Sequence, residues 1–246
     1  MPPLPGQSRS EWYSNWGGRW RCHRCTNCCI GTTGANSHLT KGIRKAILWP
    51  RKTGKKLPET LAEIRQEWAK NEPIRLMFQD EARFGRINDV RRCLAPKPVR
   101  PLCQAMLTHE YTYAYAAVEA KSGELDSLIL PHVNTDCMQL FLDEVGARHP
   151  SDKIVMVLDG AGWHSSRLLK PPQNTKLLPL PPYAPELNPV EHVWDELREK
   201  YFHNRVFDSL DALEDQLEMA LHTFENNAPM VKSIVAWEWI VIALLN

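Results

Sequence analysis

Lys153-Ile154-Val155-Met156-Val157-Leu158-Asp159-Gly160 is the stretch that decides the architecture. Ile154 to Leu158 is apolar throughout, which leaves no solvated face and reads as a strand buried on both sides. The run stops at Asp159. A second run, Ile74-Arg75-Leu76-Met77-Phe78-Gln79-Asp80, also stops at an aspartate. Strand ends of open α/β sheets are where ligands gather, so neighbouring strands would bring Asp80 and Asp159 together.

Around these two runs the periodicity changes type. Leu57 to Lys70 repeats apolar residues every three to four positions and reads as a helix closed by Asn71-Glu72-Pro73. Ile74–Asp80, Arg100–Leu107, Tyr111–Ala120 and Leu125–Leu130 read as strands, with Lys121-Ser122-Gly123 as a turn. Asn134–Arg148 reads as a helix capped by Asn134 or Thr135. A short helix near Ser165–Leu169 and a strand at Thr175–Leu180 follow Lys153–Leu158. Pro189 to about Phe202 and Asp208–Phe224 are helical, and the apolar segment 234–245 reads as a packed helix or a dimer contact. Antiparallel strands followed by helix–strand–helix units describe an α/β protein, a ribonuclease-H-like mixed sheet flanked by helices.

Glu191 supplies a third acid at the start of a helix, after Leu180-Pro181-Pro182-Tyr183-Ala184-Pro185-Glu186-Leu187-Asn188-Pro189. Two strand-end aspartates and a helix-borne glutamate are an oxygen-only ligand set suited to a pair of Mg²⁺ ions and phosphodiester chemistry. Each acid taken alone has an ordinary explanation. Asp80 fits a turn, with Glu81 a competing ligand beside it, and Asp159-Gly160 is a turn dipeptide. Asn188-Pro189-Val190-Glu191 fits a capping box, with Asn188 as cap and Glu191 at the third helical position.

Charge is divided unevenly. The net charge of the 246 residues is +1, but residues 1–56 carry +10 and the remainder −9. A basic arm for a polyanion on a mildly acidic body is one reading, and a solvated tail is the other. Lys41, Arg44, Lys45, Arg51, Lys52, Lys55 and Lys56 are placed to follow a DNA backbone without reading sequence. Of seven cysteines, Cys22, Cys25, Cys28 and Cys29 cluster near His23 and His38. A second zinc-ligand pair is missing, which argues against a structural zinc site. The odd total and the absence of a signal-peptide pattern suggest a cytoplasmic protein with reduced thiols. No apolar run reaches the ~20 residues that a membrane span needs.

Three blocks add up to more than their spacing. Gln79-Asp80-Glu81-Ala82-Arg83-Phe84-Gly85, Leu158-Asp159-Gly160-Ala161-Gly162-Trp163-His164, and Pro181 to Trp194 with its Pro-x-Leu-Asn-Pro-x-Glu-x-x-Trp pattern occur in that order. Together they resemble the DDE transposases of bacterial insertion sequences related to the mariner superfamily, over the chain from about Leu57 onward.

The resemblance implies a catalytic triad of Asp80, Asp159 and Glu191, two Mg²⁺ or Mn²⁺ ions, double-stranded DNA as substrate and target, and a homodimer. It also implies a bacterial cytoplasmic protein, associated with the nucleoid when bound to DNA. Such enzymes hydrolyse a phosphodiester at the element end and use the freed 3′-hydroxyl to attack target DNA, usually at TA. Glu186 is the second choice for the role of Glu191. His164 is placed to contact phosphate or to pack, and Arg83 to touch DNA or form a salt bridge. Trp163 and Trp194 read as core, while Tyr183 and Asn188 shape the loop that aims Glu191.

The chain thus divides into an irregular segment 1–40, a basic linker and helix 41–72, and a catalytic domain 73–246. Residues 1–40 lack the paired helix-turn-helix regions usual in the family. That keeps two alternatives open: a truncated, inactive DNA-binding remnant, and a nuclease that hydrolyses without strand transfer.

Overall fold

The computed structural model describes residues 57–70, 72–86, 108–162, 164, 168–180 and 185–245. The expected strand Arg100–Leu107, the basic stretch Lys41–Lys56 and the cysteine cluster lie outside the described residues.

Five strands form one mixed sheet: β1 (Ile74–Gly85), β2 (Tyr111–Glu119), β3 (Leu125–Leu130), β4 (Lys153–Leu158) and β5 (Thr175–Pro179). Their spatial order is β3-β2-β1-β4-β5. β1, β2 and β3 pair antiparallel as a meander, while β4 and β5 run parallel to β1. The β2–β3 turn depends on Gly123 (φ 83°), where an added Cβ would lie 2.1 Å from the Ala228 carbonyl oxygen.

β1 is longer than its apolar run suggests. Asp80 sits inside it, and the strand continues to Gly85 because β2 keeps pairing from Asp80↔Ala116 to Gly85↔Tyr111. Ala82 and Phe84 continue the inward alternation after the continuous run has ended, so the strand changes from buried on both faces to buried on one.

Helices cover both faces. α1 (Leu57–Glu67), α3 (Val190–Tyr201), α4 (Leu210–Glu225), α5 (Ala228–Val235) and α6 (Glu238–Leu245) pack over Leu76, Phe78, Ala82 and Phe84. α2 (Thr135–Arg148) covers Met77, Tyr115, Ala117 and Met156 on the other face. Caps fix where several helices start: the Asn134, Ser209 and Asn227 side chains accept from backbone N–H groups three residues on. The apolar segment 234–245 is broken at Ala236-Trp237. Its second part, α6, buries Ile240 and Ala243, and Trp239 meets Phe78 edge-on at 6.3 Å. Residues 165–167 fall outside the described residues, and Leu168 and Leu169 are not helical. Among the described residues no helix is long and apolar enough to cross a membrane.

Candidate active site

The parallel pairing of β1 with β4 sets the centre of the site. Its register ends at Phe78↔Val157. Two further residues along each chain bring Asp80 level with Asp159, just beyond the last residue of β4. α3 supplies the third acid. Glu191 lies in its first turn, and Trp194, one turn later on the same face, donates from Nε1 to Asp80 Oδ2 at 3.0 Å. Asn188 Nδ2 donates to the Gln79 carbonyl at 2.9 Å, tying the loop before α3 to the strand residue next to Asp80.

The capping box expected of Asn188 and Glu191 does not form. The Asn188 side-chain oxygen Oδ1 accepts from Val190 N–H at 3.2 Å, so it closes a local turn while Nδ2 is spent on β1. No side-chain hydrogen bond to the backbone holds Glu191, whose carboxylate stays exposed.

These acids feel one another. Burial, then the charges of Glu191 and Glu81, push the Asp80 carboxyl up to about 8, against the lowering effect of the Trp194 and Glu81 N–H bonds. Partial burial raises Glu191, and Asp195 and Asp159 add to the rise, while Arg198 opposes it. Asp159 is held below the usual carboxylate range, chiefly by the hydrogen bond from His164.

His164 links two of these acids, Glu81 and Asp159. Its Nδ1 lies 2.7 Å from Asp159 Oδ1 and its Nε2 lies 2.9 Å from Glu81 Oε1, with the ring 1% exposed. Burial pulls the imidazole down, but the bonds to Asp159 and Glu81 outweigh it and push it up to about 9. A carboxylate only accepts, so a ring between two of them donates from both nitrogens and is an imidazolium. Ala161 N–H also bonds Asp159 Oδ1 at 2.9 Å, so both bonds fall on one oxygen, and among the described residues none falls on Oδ2.

Asp80 and Glu191, and Glu191 and Asp159, thus lie within electrostatic reach of one another. Their carboxylates do not close tightly: among the described residues no group of three His, Cys, Asp or Glu side chains is arranged to hold a metal ion. Glu186 sits in the 3-10 turn Pro185–Leu187, ahead of α3. Arg83 is exposed, its guanidinium 5.4 Å from the Tyr111 ring centroid. Trp163 and Tyr183 lie outside the described residues. Two links escape a reading of the sequence. Glu81 is engaged by His164 instead of competing with Asp80, and Trp194, legible as core, also orients Asp80. The Glu191–Trp194 spacing is the one signal that pointed to the second.

A mixed sheet of order 3-2-1-4-5 flanked by helices is ribonuclease-H-like in fold. Residues 75–214 match the family model of the DDE superfamily endonucleases, and the chain belongs to that family. An uncharacterized protein, y4pE/y4sA of Sinorhizobium fredii (strain NBRC 101917 / NGR234), is 37% identical over 131 residues, 52% of this chain and 96% of its own length. The fold is similar to that of the Mos1 mariner paired-end complex solved with Mn (TM-score 0.51, 15% identity, 96% of this chain and 69% of that chain). The same complex solved with Mg also gives a TM-score of 0.51, at 16% identity and with the same coverage of both chains.

Proposed function

We propose that the chain is the catalytic part of an insertion-sequence transposase, with Asp80, Asp159 and Glu191 as its catalytic carboxylates. The observation that carries this reading is the register of β1 and β4, which sets the two aspartates side by side under the helix that bears Glu191.

The residues suit a hard divalent cation. Asp80 is buried among like charges, and among the described residues no Lys or Arg pairs with it. Among the described residues no bond falls on Asp159 Oδ2. All candidate donors are carboxylate oxygens, which Mg²⁺ or Mn²⁺ prefers. Asp80, Asp159 and Glu191 would hold the cations. Bound there, the cations would lower the pKa of an attacking water or hydroxyl and offset charge on the leaving oxygen. His164 keeps Asp159 ionised and aimed, and Trp194 fixes the orientation of Asp80, as outer partners of metal-ligating groups do.

In the first step a water oxygen bonds to phosphorus and the P–O3′ bond breaks, freeing a 3′-hydroxyl. In the second, that 3′ oxygen bonds to a target phosphorus, and a target 3′-hydroxyl leaves. The reading includes double-stranded DNA as substrate and target, a homodimer that brings two sites to two element ends, and a cytoplasmic location. Mos1, which shares the fold, was solved as a paired-end complex.

The test is nicking of supercoiled plasmid in Mg²⁺ or Mn²⁺ by the wild type and by Asp159→Asn. Cleavage by the wild type alone, with joined products, is the expected result. Cleavage without joining would leave a hydrolytic nuclease. A folded wild type that never cleaves would leave an inactive DNA-binding remnant.

A further inference from the structure

A cavity of about 510 Å³ opens where β1 ends, β2 begins and the last turns of α3 pass over them. Its volume is in the range of small-molecule sites. The wall is cationic and aromatic. Arg83 and Arg198 both reach it, and among the described residues neither forms an ion pair with an acid. The guanidinium of Arg83 lies over Tyr111 at 5.4 Å and that of Arg198 over Phe84 at 5.3 Å, so aromatic faces position both charges. Glu110, the acid of the lining, is bonded to Arg86.

Beneath the wall, two lining residues carry buried polar atoms with no partner among the described residues: Thr108 Oγ1 and His203 Nε2. The His203 side chain is 10% exposed and is held by Nδ1 at 2.9 Å from Glu199 Oε2. What the wall asks of an occupant is an anionic acceptor for the two guanidinium groups and a flat face for Tyr111.

We propose that this cavity binds one nucleotide of a single DNA strand running past the carboxylates, its phosphate on Arg83 and Arg198 and its base against Tyr111. A nucleotide offers both, an anionic phosphate and a planar base. Tyr111, 45% exposed, offers a stacking surface. Location supports the same occupant. Arg83 follows Asp80 by three strand residues and Arg198 follows Glu191 by seven helical ones, each about 10 Å along its element. Arg198 also acts electrostatically on Glu191. This inference rests on the reading that the chain handles DNA.

The test is anisotropy of a fluorescent, short single-stranded oligodeoxynucleotide with the full chain in EDTA, at a series of salt concentrations. The Arg83→Ala/Arg198→Ala double variant should lose about 0.7 from the slope of log K against log salt, the value for the one phosphate the two arginines share. The Arg83→Lys/Arg198→Lys pair keeps the charges and should restore the slope, which separates lost contacts from misfolding. Tyr111→Ala should weaken binding about tenfold at every salt concentration. An unchanged slope in the double alanine variant overturns the proposal, even if the wild type nicks plasmid. A reduced slope sustains it even if the wild type fails to nick, in which case the catalytic reading fails instead.

Discussion

The two ends of β1 treat charge in opposite ways. At its start Arg75 gathers three acids: Nε lies 2.6 Å from Asp152 Oδ2, Nη1 lies 3.0 Å from Glu119 Oε2, and Glu124 also bonds it. Five residues on, Asp80 faces Glu191 and Glu81 with an indole N–H as its side-chain hydrogen-bond partner. The first cluster is closed by the chain itself. The second is left in deficit, and that deficit is what an added cation would fill. Charges that serve the fold are paired within the protein, whereas charges that serve chemistry wait for a partner from outside.

Asp80→Asn puts the largest strain on this comparison. The amide keeps the shape and the oxygen that accepts from Trp194, but removes a carboxyl whose ionisation is opposed by burial and by the charges of Glu191 and Glu81. Nicking should fall at least about a hundredfold, since a cation at the site is worth several kcal/mol and a decade costs about 1.4 kcal/mol. The metal-free protein should meanwhile become more stable, by about 1 kcal/mol, or about 2–4 °C in thermal midpoint for a domain of this size. A lower midpoint in EDTA would mean that the acid-rich end is as well balanced as the Arg75 end.

Much of this contrast was legible in the sequence. The uninterrupted run Ile154–Leu158 announced a central strand, and the three blocks point to Asp80, Asp159 and Glu191 as the proposed site. What stayed hidden depends on long-range pairing. The extension of β1 to Gly85 comes from β2 alone, and local apolarity does not report which partner continues. Glu81 and His164 are 83 residues apart, and Trp194 and Asp80 are 114 apart. No local periodicity carries such links. The groove of Arg83, Thr108, Tyr111, Arg198 and His203 is assembled from three separate segments and has no motif at all.

Intermediate effects should come from the groups that aim the carboxylates. Trp194→Phe removes the N–H that orients Asp80, and His164→Gln weakens the bridge from Glu81 to Asp159. Both should raise the Mg²⁺ concentration needed for half-maximal nicking, by about tenfold to a hundredfold, as lost outer-shell partners do. A purely structural role would lower the thermal midpoint and leave the metal dependence of the folded fraction unmoved. That outcome would place the functional boundary at the three carboxylates themselves.

The smallest effect should come from the closed end. Arg75→Ala breaks bonds to Asp152, Glu119 and Glu124, and the guanidinium is 18% exposed. Glu124 and Asp152 can turn to water, being 51% and 38% exposed, while Glu119, at 12%, loses a charged partner and keeps Ser122 as a donor. The cost should be about 1–2 kcal/mol of stability, in the range of a charged hydrogen bond with partial rehydration. Urea unfolding measures that loss, and nicking per folded molecule should match the wild type at every Mg²⁺ concentration. If Arg75→Ala instead changed the metal dependence, the strand would be transmitting charge between its ends. The separation of paired from unpaired acids along β1 would then be a difference of degree.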